Sequence, residues 1–279
     1  MRLKSNLILA ATILLLGSLA APVHADELAE KGRTIFTKNR DAVVTVSIVL
    51  KMTYSNAGQS SSPQESKQEA TGTVIDSSGL TVLALSACDP ADIYQRMDSR
   101  YKIETEVSDL KIMLSDGTEL PAEIVLRDKD LDLAFIRPKT KPASPMTAID
   151  LTKSSPAQVL DEVIALNRLN SAASRAYSAS VERISAVVQK PRTFYIPDST
   201  MSATTMGSPA FLMNGNFLGI FVMRAVSSTG GRANMTAIIL PADDVLKGAK
   251  QAPEAKGDAE KKDEAKEPVK ASGETAPKK

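Results

Sequence analysis

Apolar and polar residues alternate in short blocks along this chain, and most blocks read as strands separated by turns. Ala42 to Val49 is rich in β-branched residues and of strand length. The polar stretch Ser55 to Glu69 reads as a flexible loop or long hairpin tip. Gly72 to Asp76 then passes through the turn signal Ser77-Ser78-Gly79 into Leu80 to Leu85, a hairpin in outline. Lys111 to Leu114 and Ala122 to Leu126 flank the Asp116-Gly117 turn as a second hairpin, and Leu133 to Ile136 is a short apolar strand. The second half repeats this grammar with Glu162 to Leu166, Ser178 to Val188, Ala210 to Met213, Phe217 to Met223 and Met235 to Leu240. Two helices are expected, around Ala29 to Phe36 and Ala242 to Lys250, and the proline-rich join Pro138 to Pro145 separates the halves. Close spacing of short strands predicts an all-β pair of barrels or a sandwich.

The flanks differ in kind. Arg2 and Lys4 precede an uncharged apolar run from Leu7 to Ala21, and Val23-His24-Ala25 supplies a small-x-small cleavage pattern. Residues 1–25 therefore read as a signal peptide cut after Ala25, which implies export to a periplasm or the extracellular space. The apolar run is about 15 residues, short of the ~20 that span a bilayer, so no stable membrane span is expected once it is removed. Residues 26–249 form the expected folded domain. Residues 250–279 are dominated by Lys, Glu, Ala and Pro, with Val269 as the only large aliphatic residue after Ala252. Such a segment cannot bury enough apolar surface to offset its ordering entropy, and a disordered tail is expected.

Composition then removes whole classes of function. The net charge is +1, which gives nucleic acid or an anionic membrane no reason to bind. Cys88 is the single cysteine, so no intrachain disulfide is possible, and its plain reading is a small buried hydrophobe rather than a reactive thiol. His24 is the single histidine and falls in the leader, so the mature chain has no imidazole for acid–base work or metal ligation. Only carboxylate metal sites would remain. Neither a metal nor another cofactor is expected.

In this order, the segments resemble the trypsin-like protease domain of the HtrA family, from about Thr34 to Ala249. Ala70 to Asp76 matches the family's Gly-rich hairpin, and Leu83 to Asp89 falls on the segment that carries its histidine base, with Ser86 at the histidine position. Asp128-Lys129-Asp130-Leu131-Asp132-Leu133-Ala134 fits the aspartate motif and places Asp132 as the triad carboxylate. Thr204 to Pro209 matches the nucleophile segment, with Met206 in place of the serine and Ser208 in place of a glycine. Ala237 to Pro241 echoes the family's closing motif. The resemblance implies a trypsin/chymotrypsin-like double β-barrel. Only the low-complexity tail follows, so no PDZ-like domain is expected, a departure from many members of the family; the resemblance also suggests a homo-oligomer, a trimer in many members.

Two of three triad positions lack the required chemistry. Methionine carries no ionisable proton, and a serine hydroxyl accepts none near neutral pH. Losing one triad member costs on the order of 10⁴ to 10⁶ in turnover, and losing both costs about as much as losing one. The expectation is a catalytically inactive homologue that binds a peptide or protein through the former substrate cleft, with Met206, Gly207 and Ser208 as contacts. Asp132 has a second reading, as a structural carboxylate accepting backbone hydrogen bonds. The competing enzyme reading is a Ser-Lys hydrolase in which Lys190 or Lys111 approaches Ser208 in space. A third reading makes the chain a structural envelope component attached through its tail.

Overall fold

A computed structural model describes residues 26–56, 59–97, 102–198, 205–229 and 232–254. The expected leader with Ala25, Thr204 and most of the expected tail lie outside the described residues. Helix α1 (Asp26–Asn39) and a 3-10 turn (Arg40–Ala42) lead into the first group of strands. These are β1 (Val43–Asn56), β2 (Gln59–Ser60), β3 (Gln64–Val74), β4 (Thr81–Ala84), β5 (Lys102–Met113), β6 (Glu119–Asp128) and β7 (Leu133–Pro138). Two short helices, α2 (Leu85–Cys88) and α3 (Ala91–Met97), lie between β4 and β5. The second group is β8 (Glu162–Arg168), β9 (Tyr177–Val188), β10 (Phe194–Pro197), β11 (Pro209–Leu212), β12 (Phe217–Thr229) and β13 (Arg232–Pro241), followed by α4 (Ala242–Gln251).

Every named strand pairing is antiparallel. The first group runs β1-β3-β4-β7-β6-β5 and closes because β5 also pairs with β1, from Thr45↔Met113 to Ser55↔Lys102. The two-residue β2 extends the end of β1. The second group closes in the order β10-β13-β12-β11-β8-β9. The fold is thus two six-stranded closed barrels, the double barrel that the resemblance implies and one of the two arrangements that the strand pattern allows. Closure leaves neither barrel a long bare edge.

Several strands carry unbroken apolar runs because both of their faces are buried. In β8, Val163 and Ala165 fill the second barrel, while Ile164 and Leu166 turn outward into the cluster of the first. In β12 and β13, Phe221 and Ile239 point in, while Ile220, Val222, Ile238 and Leu240 join that outer cluster. The period-2 alternation of a strand thereby builds one barrel interior and the seam between barrels at once. Helix α4 buries Ala242, Val245 and Gly248, three residues apart and so on one face. Gly248 lies where a Cβ would stand 2.6 Å from the Phe135 ring of the first barrel.

Polar bonds cross the same seam. Thr71 Oγ1 donates to Asn167 Oδ1 at 2.5 Å, and Thr73 Oγ1 donates to the Gly207 carbonyl at 2.8 Å. Glu69 on β3 accepts from Arg175 Nη2 at 2.6 Å and from the Ser171 amide at 2.9 Å, which ties the β8–β9 connection to the first barrel. The register between barrels is therefore fixed by directional contacts as well as by apolar packing.

Candidate functional site: the cleft between the barrels

The Asp128 to Asp132 segment makes its own turn. Asp128 Oδ1 accepts the amides of Asp130 and Leu131, both at 3.0 Å. That side-chain turn delivers Asp132 with φ +56, a left-handed conformation that aspartate tolerates better than most residues. Opposite it, β4 ends at Ala84 and the chain turns into α2, so Leu83-Ala84-Leu85 is not strand throughout. The first amides of a helix have no intrahelical acceptor, and that of Ser86 donates to Asp132 Oδ1 at 2.7 Å.

Ser86 also donates its hydroxyl to Asp132 Oδ2 at 2.8 Å, and the same oxygen accepts the Met223 amide of β12 at 2.8 Å. Asp132 is buried. One carboxylate thus holds α2 of the first barrel and β12 of the second. The structure brings Ser86 and Asp132 together. It also satisfies the carboxylate without an imidazole.

The Met206 turn sits against the end of β4. A Cβ on Gly207 would stand 2.1 Å from the Thr71 carbonyl oxygen and 3.3 Å from the Ala84 nitrogen, and Gly207 has φ +89. Only glycine fits this approach without displacement. Positive φ in this turn belongs to Gly207 and not to Ser208. Met206 is 4% exposed and packs in the apolar cluster, and Ser208 is fully buried with no hydrogen-bond partner for its hydroxyl among the described residues.

A cleft of about 350 Å³ opens beside Ser86 and Asp132. Its first-barrel wall includes Asp89, Asp92 and Lys129, and its second-barrel wall includes Arg192, Met223, Arg224 and Met235. Met206, Gly207 and Ser208, expected as ligand contacts, do not line it. The second-barrel residues that do were not singled out from sequence. Met223, Arg224 and Met235 lie together on the β12–β13 hairpin, and Arg192 lies just before β10, which pairs with β13. The one available cue is a cation at Arg224 directly after the apolar run that ends at Met223.

Cys88 lies at the end of α2, buried and donating to the Leu85 carbonyl at 3.4 Å. Burial, with a smaller contribution from the Asp89 charge, lifts its thiol to about 12. It is therefore protonated and inert at neutral pH. Among the described residues no group of three His, Cys, Asp or Glu side chains is arranged to hold a metal.

Residues 70–220 match the trypsin-like peptidase domain family. The chain belongs to that family. Among solved structures it is similar to the MamO protease domain from Magnetospirillum magneticum in its apo form, at 15% identity and a TM-score of 0.49, covering 76% of this chain and 97% of that one. No curated protein matches.

Proposed function

We propose that this chain is an exported, catalytically silent trypsin-like domain of HtrA type that binds a peptide or protein through the cleft between its barrels. The observation that carries the reading is the bonding at Asp132. Its two oxygens are occupied by the Ser86 amide, the Ser86 hydroxyl and the Met223 amide. A hydroxyl that donates to a carboxylate is held as a donor. It cannot take a proton from a nucleophile as an imidazole does. At the nucleophile position, a buried thioether stands where an exposed hydroxyl would be needed. What remains is an open cleft with charged and apolar walls, suited to recognition.

The Ser-Lys alternative draws no support from the geometry. The Ser208 hydroxyl meets no lysine among the described residues. Lys111 is engaged with Glu119 at 2.9 Å and Asp109 at 3.7 Å. Lys129, which does line the cleft, pairs with Asp92 at 3.1 Å.

The test is exposure of the purified mature protein to a fluorophosphonate probe, read by intact mass with trypsin as positive control. An unmodified mass is expected. A covalent adduct mapped to Ser86 or Ser208 would overturn the reading.

A further inference from the structure

The charges lining the cleft are not equally free. On the first-barrel wall, Asp132 is saturated as described, and Asp92 pairs with Lys129 at 3.1 Å. Asp89 accepts the Thr105 hydroxyl and stands 3.8 Å from Arg127 Nε. Asp130 is the remaining acid and lies exposed at the rim.

The second-barrel wall is the converse. Neither Arg192 nor Arg224 pairs with a carboxylate among the described residues. Arg224 is half-buried, and its guanidinium carbon sits 5.0 Å from the centroid of the Phe194 ring. Phe194 is itself buried. The ring attracts the cation and limits its rotamers, and its in-plane N–H donors meet no carboxylate among the described residues. A fixed planar fork of donors matches a carboxylate in two-point geometry. Beside it, Met223 and Met235 face the cleft with Leu85 and Ile93, an apolar lining that takes an uncharged side chain.

We infer that the cleft selects peptides in which an acidic side chain lies next to an apolar one, the carboxylate on Arg224 with Arg192 at the rim, and the apolar group between the methionines and Leu85. The inference rests on the peptide-binding reading above and adds its chemical class. A cationic peptide would meet two arginines that have no carboxylate partner among the described residues, with the exposed Asp130 the acid of the described lining left to receive it. Charge complementarity here acts mainly on selectivity, because like charges across a cleft are penalised.

The experiment uses an array of synthetic hexapeptides with Leu or Met at one position and Glu, Gln or Lys beside it, probed with the labelled mature chain. Glu peptides should be retained about tenfold more tightly than their Gln counterparts, as for one charge-assisted bidentate contact. Arg224→Gln should erase that difference, and Arg224→Lys should restore only part of it. Thermal melts of each variant establish that it is folded. Equal retention of Glu and Gln peptides would overturn the acidic selectivity while leaving peptide binding in place. A preference for Lys would overturn it and point to Asp130. Absence of any retained peptide on wild type would overturn both this inference and the reading on which it rests.

Discussion

Asp132→Asn isolates what the carboxylate does with both of its oxygens already holding hydrogen bonds from Ser86 and Met223. The exchange preserves shape, and asparagine tolerates φ near +56 as aspartate does. Only the polarity of one atom and the charge change. In the best amide orientation the oxygen keeps the Ser86 hydroxyl and the Met223 amide, and the NH2 group then faces the Ser86 amide, donor against donor. An unsatisfied buried donor costs about 1–3 kcal/mol, and two bonds that were charge-assisted become neutral at a further ~1 kcal/mol in total. The expected loss is about 3 kcal/mol. At a urea m-value of about 3 kcal/mol/M this moves the midpoint down by ~1 M. Ser86→Ala removes one hydroxyl bond and leaves both backbone donors, so it should cost only about 1 kcal/mol. Equilibrium urea unfolding of wild type and both variants, with m unchanged, is the assay. A midpoint for Asp132→Asn within ~0.2 M of wild type would refute the view that this carboxylate holds the barrels together. So would equal losses for the two variants.

Gly207→Ala should destabilise by more than about 3 kcal/mol, because strain at φ +89 adds to a Cβ placed 2.1 Å from the Thr71 carbonyl. Gly215→Ala, at φ +82 with nothing within 4 Å, should cost only about 1 kcal/mol, and thermal melts of the pair separate strain from contact. Cys88 should resist iodoacetamide at pH 8 in the native protein and react on unfolding, as followed by mass. Its folded thiol holds its proton to about 12 against an ordinary 9.0. Its contribution to stability is therefore complete below pH 9 and declines as pH rises from there toward 12. A native protein alkylated as fast as the unfolded one would contradict this burial.

The barrels were readable because their strands announce themselves as β-branched runs bounded by Gly, Asn and Asp turns. Strands with a weaker pattern were cut short or missed. β5 begins at Lys102, yet only Lys111 onward is apparent in sequence, because Ile103, Thr105 and Val107 alternate with charged residues on a half-exposed face. The polar stretch Ser55 to Glu69 proves to be largely hairpin, since β3 starts at Gln64 and its polar residues pair with β1. β10 is too short at Phe194–Pro197 to stand out. Helix α2 is four residues long and carries no capping signal, and α3, which follows Asp89-Pro90, is only seven residues long; neither is expected from the strand pattern. Within the site, Ser86 and Asp132 were legible because each belongs to a local motif. The burial of Met206 and Ser208 was not, because it depends on the β3–β4 wall against which the turn rests. The Arg192 and Arg224 wall was equally hidden, since three-dimensional closure brings it opposite Asp132.

Casein cleavage by a protein spanning residues 26–279 addresses the central claim directly, with Met206→Ser and the double variant Met206→Ser with Ser86→His measured alongside it. A serine added without a base remains protonated, so wild type and the single variant should show no turnover above buffer. The double variant returns an imidazole to the place where Ser86 now bonds Asp132, but residue 206 stays buried and outside the cleft lining, so its turnover should also remain at the buffer level. Inhibitor-sensitive cleavage by the wild-type protein would contradict the account.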